Sequence, residues 1–174
     1  MSERLYRLPT AWGGFLAGFT DMGLSRLEFP RVRGRANGVP LLRASSEPAA
    51  SKLIASLRRY IAGGSGKFEL PLDLSRGTAF QRRVWRALMR VPRGRTVTYE
   101  NLARMAGSPR AARAAGSACG ANPVAVVVPC HRAVASDGIG GFGAGLRWKR
   151  RLLELEGAAE CGPERSRSRK GGGR

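Results

Sequence analysis

Apolar and polar positions alternate along residues 14–20 and again along 23–30, on either side of Asp21-Met22-Gly23. Period-two alternation around a glycine-containing turn predicts a β-hairpin. Residues 31–47 are rich in arginine, glycine and proline and predict a loop. Across 49–61 the spacing becomes helical, with Leu53, Leu57, Tyr60 and Ile61 on one face and a stop at Gly63-Gly64. Residues 67–74 alternate again, through Phe68, Leu70, Leu72 and Leu74, and predict a further strand. The first 75 residues thus read as a small α/β unit with no evident chemistry.

A second unit begins near residue 76. Thr78 and Gln81 have the spacing of a capping box, followed by Phe80, Val84, Trp85, Leu88 and Val91 at helical spacing. Arg83, Arg86 and Arg90 take the opposite face, either a solvated surface or a contact for phosphate. Thr98 caps an expected helix over 99–105 that stops at Gly107, and Ser108-Pro109 reads as cap and first position of another. Two short helices around a tight turn outline a helix-turn-helix, although any helical hairpin would give this pattern. The second helix, 110–118, has almost no large side chain besides its arginines. Such a face either packs closely on a neighbouring helix or lets the backbone enter a groove, with Arg113 free to reach phosphate or insert. Residues 119–123 read as a turn, 123–128 as a buried Val-rich strand, 137–145 as a Gly-rich loop, and 146–156 as an amphipathic helix ended by Gly157. The polar, basic residues 158–174 predict disorder. The expected fold class is α+β in two domains. Residues 1–75 form a small N-terminal α/β domain with an antiparallel sheet; 76–157 form a mainly helical domain carrying the helix-turn-helix and a reactive cysteine.

Composition narrows the class. Apolar residues make up 43% and charged residues 25% of 174, as in an ordinary globular protein. No apolar run approaches the roughly 20 residues that span a bilayer. Met1-Ser2-Glu3-Arg4 is not followed by a signal-peptide core, so a cytoplasmic location is expected. The net charge is +19, and only four of the 31 basic residues are lysine. Residues 76–160 hold 15 basic against 5 acidic side chains, residues 1–75 hold 11 against 6. An excess of arginine concentrated in the second unit points to a polyanion, most simply nucleic acid; a general preference for arginine over lysine would account for part of it. Cys119, Cys130 and Cys161 form no CxxC pair, and His131 is the sole histidine. Neither a disulfide framework nor a metal site built from this chain is expected.

The candidate chemistry lies at Pro129-Cys130-His131-Arg132, where the Val-rich segment delivers a thiol beside an imidazole. Successive residues of a strand face opposite ways, so the pair can cooperate only if the chain turns, which Pro129 makes plausible. Glu156 lies in the last turn of its helix, where a carboxylate opposes the macrodipole by about 0.3–1 kcal/mol. It is either an ordinary exposed glutamate or the partner of His131.

These residues resemble the O6-alkylguanine-DNA alkyltransferases, also called methylated-DNA–protein-cysteine methyltransferases. The likeness rests on Gly120-Ala121-Asn122-Pro123-Val124 with Pro129-Cys130-His131-Arg132, on Gly94-Arg95-Thr96-Val97-Thr98-Tyr99, on Ser108 through Ala114, and on Leu152 through Gly157. It runs from about Phe80 to Gly157; residues 1–75 share only length and pattern. The resemblance implies a monomer that binds double-stranded DNA through its minor groove, flips an O6-alkylguanine into a pocket and takes the alkyl group irreversibly onto Cys130, with no organic cofactor. It implies His131 as base through a bridging water, Glu156 orienting His131, and Tyr99 donating to guanine N3 and helping to rotate the phosphate. Arg113 would fill the gap left by the base, with Ala112, Ala114 and Gly116 beside it against the DNA. Asn122 would tie the recognition helix to the active-site turn, the carbonyls of Cys130 and Ala133 would accept from the guanine amine, and the Gly143 N–H would donate to O6. Phe142 and Gly143 depart from the tyrosine and serine of many relatives, and the Gly-rich loop is one residue shorter than in some, which bears on the range of alkyl groups.

Three other readings compete. An alkyltransferase-like damage binder would lack the cysteine that is present here. A Cys–His hydrolase would need an oxyanion hole and would leave the basic charge without a role. A regulator reading the major groove would need polar side chains where Ala111, Ala112, Ala114 and Ala115 stand.

Overall fold

The computed structural model describes residues 2–30, the backbone of 42–43, and 47–158. The hairpin forms as expected, from β2 (Gly13–Thr20) and β3 (Gly23–Glu28), with a register shift at Gly18/Phe19. A strand not anticipated from the sequence, β1 (Arg4–Thr10), pairs antiparallel with β2 along its whole length. Its Tyr6 and Leu8 are buried while Arg7 between them is exposed, so the period-two pattern is present but short. β4 (Leu42–Arg43) lies within the expected loop and pairs parallel with β1, giving the order β3-β2-β1-β4. The rest of that loop, 31–41 and 44–46, and the tail from 159 onward lie outside the described residues.

Helix α1 (Pro48–Ile61) packs on the sheet through buried Ala50, Leu53, Leu57 and Tyr60. The strand expected over 67–74 does not form. The side chains do alternate, but the backbone pairs with β3 only at Leu72, where Leu24 donates to the Pro71 carbonyl and accepts from Asp73. Pro71 has no N–H to extend the ladder.

Helix α2 (Ala79–Met89) begins with the reciprocal Thr78/Gln81 capping box and buries Val84, Trp85 and Leu88. Thr98 of β5 (Val97–Thr98) caps α3 (Tyr99–Met105). The next helix starts later than expected: residues 108–111 form a turn closed by Ala111 N–H to the Ser108 carbonyl, and α4 runs Ala112–Gly120 without a side-chain cap. The indole of Trp85 donates to the Ala118 carbonyl at 2.8 Å, fixing α4 against α2. Two arginines turn out to be structural: Arg83 of α2 and Arg90 at its C-cap donate to the Ala106 and Met105 carbonyls at the end of α3. These are the orphan acceptors of a helix C-terminus. β6 (Ala133–Val134) pairs parallel with β5, and α5 (Leu146–Glu156) ends on left-handed Gly157. One buried cluster runs from Phe15 and Leu57 through Val84 and Leu102 to Val128 and Leu152.

Candidate active site

The segment expected as a buried strand, 123–128, is a pinned turn. Val124 bridges to Leu27 and Ala125 bridges to Val128 within the segment itself, and Val126 is the one non-glycine among the described residues with positive φ, 72°. A β-branched residue there is strained and persists only where its surroundings hold it. Asn122 supplies much of that hold: Val124 N–H donates to its Oδ1 at 3.0 Å, and its Nδ2 donates to the Val128 carbonyl at 2.8 Å. The β3 residue Leu27 adds a backbone bond to Pro123 on one side and Ala125 on the other. The chain leaves this turn at Pro129 and enters a single 3-10 turn, Cys130–Arg132. In a 3-10 turn successive side chains diverge by about 120° rather than the 180° of a strand, so Cys130 and His131 are not forced onto opposite faces.

Cys130 is buried, and its Sγ accepts from Asn122 Nδ2 at 3.0 Å. Burial pushes its pKa up, opposed by the Asn122 hydrogen bond and the charge of Lys149. His131 is fully buried, with Nε2 3.0 Å from Glu156 Oε1. Burial lowers its pKa against the pull of Glu156, so the ring is neutral at neutral pH. An ionised carboxylate only accepts, so Nε2 carries the proton and Nδ1 is left as the acceptor. Nδ1 is buried with no hydrogen-bond partner among the described residues.

Glu156 is the hub. Its Oε1 also accepts from Tyr60 Oη at 2.7 Å and Arg132 at 2.8 Å, and Oε2 accepts from Arg132 Nε at 2.8 Å and the Gly94 N–H at 3.4 Å. Burial would raise this carboxyl, but the donors from His131, Arg132 and Tyr60 outweigh it and hold the group well below the carboxylate range. Arg132 also donates to the Val91 carbonyl at 2.6 Å. Tyr60 was not legible as a site residue: nothing in its local pattern distinguishes it from a core aromatic.

The sulphur opens on a cavity of about 370 Å³ lined by Tyr99, Gly116, Ser117, Cys119, Gly141 and Phe142. A larger cavity, about 800 Å³, adjoins Cys130 on the side of β3 and includes Phe29, Trp148 and Phe142. Tyr99 donates to the Gly141 carbonyl at 3.3 Å. Gly140 has φ 68°, and a Cβ there would sit 2.7 Å from the Tyr99 hydroxyl, so glycine is required for the loop to close on that ring. Lys149, unremarked in the sequence, is fully buried and donates to the carbonyls of Ala133 (2.6 Å) and Gly141 (3.0 Å). Burial depresses its pKa to about 8. One lone pair of the Ala133 carbonyl is thus already engaged. Gly143 is exposed, its backbone beside the Gly120 carbonyl. On α4, Arg113 and Ala114 are exposed and Ala112 and Gly116 half-buried; Gly116 backs onto the Tyr99 ring. Cys130 meets Asn122 and shares a cavity with Tyr99 of α3, Gly116 of α4 and Phe142; His131 meets Glu156; Ala133 is tied to the loop through Lys149; and Arg113 lies about one turn before Gly116 on α4.

The site thus holds a buried thiol on a cavity wall and, at the next residue, an imidazole paired with a carboxylate. Residues 79–158 match the family model described as the DNA-binding domain of 6-O-methylguanine DNA methyltransferase. The methylated-DNA–protein-cysteine methyltransferase of Mycobacterium tuberculosis is 49% identical over 109 residues, 62% of this chain and 66% of that relative. The crystal structure of the Mycobacterium tuberculosis O6-methylguanine methyltransferase superposes with a TM-score of 0.76 at 36% identity, covering 90% of this chain and 93% of that one. A structure from that organism in complex with DNA superposes at 0.75 and 37% identity, covering 88% and 92%. The chain belongs to the methylated-DNA–protein-cysteine methyltransferase family. Among the described residues no helix is long and apolar enough to cross a membrane.

Proposed function

We propose that this protein repairs O6-alkylguanine in DNA by moving the alkyl group to Cys130, once per molecule. The observation that carries the reading is the His131 Nδ1 lone pair left free by the Nε2–Glu156 bond, one residue from a thiol at the wall of a cavity. Cys130 loses its proton to His131 through a bridging water, as the family resemblance implies, and the imidazolium is held against Glu156. The thiolate attacks the O6-bound carbon in line, the C–O bond breaks, and its electron pair stays with the purine. Tyr99 donates to guanine N3 and limits the charge that develops there, exchanging its long bond to Gly141. The carbonyl of Cys130 and the second lone pair of Ala133 accept from the exocyclic amine, and the Gly143 N–H donates to O6. The product is a thioether, which offers no leaving group to regenerate the thiol.

DNA is taken as a duplex through a helix-turn-helix formed by α3 and α4. The small residues Ala112, Ala114 and Gly116 admit the backbone of α4 to the minor groove, and Arg113 fills the stack where guanine has swung out. Residues 1–75 and 76–157 act as two domains of a monomer, the first bracing the second through Tyr60. The test is mass spectrometry after incubation with a duplex containing O6-methylguanine. One methyl replaces one hydrogen on the peptide holding Cys130, and a second aliquot of substrate is left unrepaired. Multiple turnover, or a label on Cys119 or Cys161, overturns the proposal.

A further inference from the structure

Cys119 is a buried thiol that the alkyl transfer does not use. It comes from the last turn of α4, is free of any disulfide, and lines both the 370 Å³ and the 800 Å³ cavities together with Cys130. Two thiols from different elements thus face common space. Burial raises the Cys119 pKa to about 12, with the neighbouring Cys130 adding to the rise and Lys149 opposing it. A thiol held protonated is a poor nucleophile toward an O6-alkyl carbon. A stronger electrophile, delivered next to it, is what such a thiol would need.

We propose that Cys119 is a second alkyl acceptor, closing a dithioether bridge to Cys130 when the transferred group carries a leaving group on its second carbon, as in O6-(2-haloethyl)guanine. The inference rests on alkyl transfer to Cys130. That first step releases guanine and leaves Cys130 as a 2-haloethyl thioether. Its sulphur displaces halide from the terminal carbon, forming a cyclic sulphonium. The Cys119 sulphur then attacks a ring carbon, the C–S bond of the sulphonium opens, and the Cys119 proton passes to solvent. The sum is loss of hydrogen halide, with no oxidant or reductant. A two-carbon tether asks less of the geometry than a disulfide, whose sulphurs must approach to about 2.05 Å. The competing groups are weaker: Lys149 is engaged by two carbonyls, and Tyr99 is a phenol whose pKa is raised by burial. Such a bridge would retain a bifunctional lesion inside the protein, where an open haloethyl thioether could alkylate DNA again.

The full chain is incubated in parallel with duplexes containing O6-methylguanine and O6-(2-chloroethyl)guanine, then analysed intact and after proteolysis. In the chloroethyl arm most modified chains should gain one ethylene and lose two hydrogens, with the Cys119 and Cys130 peptides joined. Cys119→Ser, which keeps the size of the side chain, should shift the modified chains to a hydroxyethyl thioether on Cys130. Hydroxyethyl thioether with intact Cys119 in the unmutated chain overturns the inference, as does a bridge to another residue or no reaction in this arm alone. Failure to methylate Cys130 in the first arm overturns instead the alkyl-transfer reading itself.

Discussion

Tyr60 of α1 donates its hydroxyl to Glu156 of α5 at 2.7 Å, on the same oxygen that faces His131. Helix α1 therefore supplies a donor to the carboxylate that pairs with His131. A hydrogen bond to a charged group contributes about 1.5–3 kcal/mol. Tyr60→Phe should lower stability by that order and slow alkyl transfer several-fold, with the rate–pH profile displaced upward because Glu156, holding one donor fewer, favours the protonated form of His131 more strongly. Denaturant melts and single-turnover rates across pH check both. An unchanged profile would reduce Tyr60 to a packing residue.

Glu156 itself should show in acid stability. Its pKa is held below the carboxylate range in the folded chain and lies near 4.3 when unfolded. The folded state therefore binds fewer protons, and the contribution is complete above the unfolded value and lost as pH falls below it. Glu156→Gln should flatten that acid limb. It should also cost about 3–5 kcal/mol, since it strands the buried Arg132, and reduce the transfer rate roughly 100-fold or more by disorienting the base. Urea melts between neutral and acid pH test the slope, and stopped reactions on a methylated duplex test the rate.

Local chemistry was legible where it is written in neighbouring residues. The Thr78/Gln81 capping box, the Thr98 cap, the Gly157 stop and the Pro-Cys-His-Arg element could be read directly. The stretch 123–128 could not, because its valines suit a strand and only the distant contacts of Asn122 and Leu27 impose the turn. Tyr60 escaped because its partner lies 96 residues away, and Lys149 because a buried lysine on a basic helix looks like one more surface cation. Arg83 and Arg90 misled in the opposite sense, since their carbonyl partners are set by how α3 packs on α2.

Gly140 and Lys149 jointly hold the 137–145 loop over the cavity. Gly140→Ala forces a Cβ onto the Tyr99 hydroxyl and a left-handed φ on alanine, so a loss of about 1–3 kcal/mol is expected, with slower repair. Lys149 has a distinct signature. Its pKa is about 8 in the folded chain against 10.5 for the free side chain, so the unfolded chain binds more protons between those values. Stability measured relative to Lys149→Met should therefore rise from about pH 8 to pH 10.5. A flat difference across that range would mean that the ammonium is solvated.

On the proposed mode of binding, Arg113 would separate handling of DNA from chemistry. It is exposed on α4, about one turn before Gly116, which backs onto the Tyr99 ring at the cavity. Among the described residues no hydrogen bond or ion pair joins its side chain to Cys130, His131 or Glu156, so its removal should leave the thiol as reactive as before. Arg113→Ala should slow repair of a methylated duplex at least about tenfold, the scale of one lost contact of roughly 1.4 kcal/mol or more. Reaction with free O6-alkylguanine should stay near the unmutated rate, because a free base needs no extrusion from a stack. The ratio of the two rates is the measurement. A duplex with the lesion opposite an abasic gap should recover much of the loss, since unstacking is then cheaper. Equal losses on free base and duplex would instead assign Arg113 to the structure of α4.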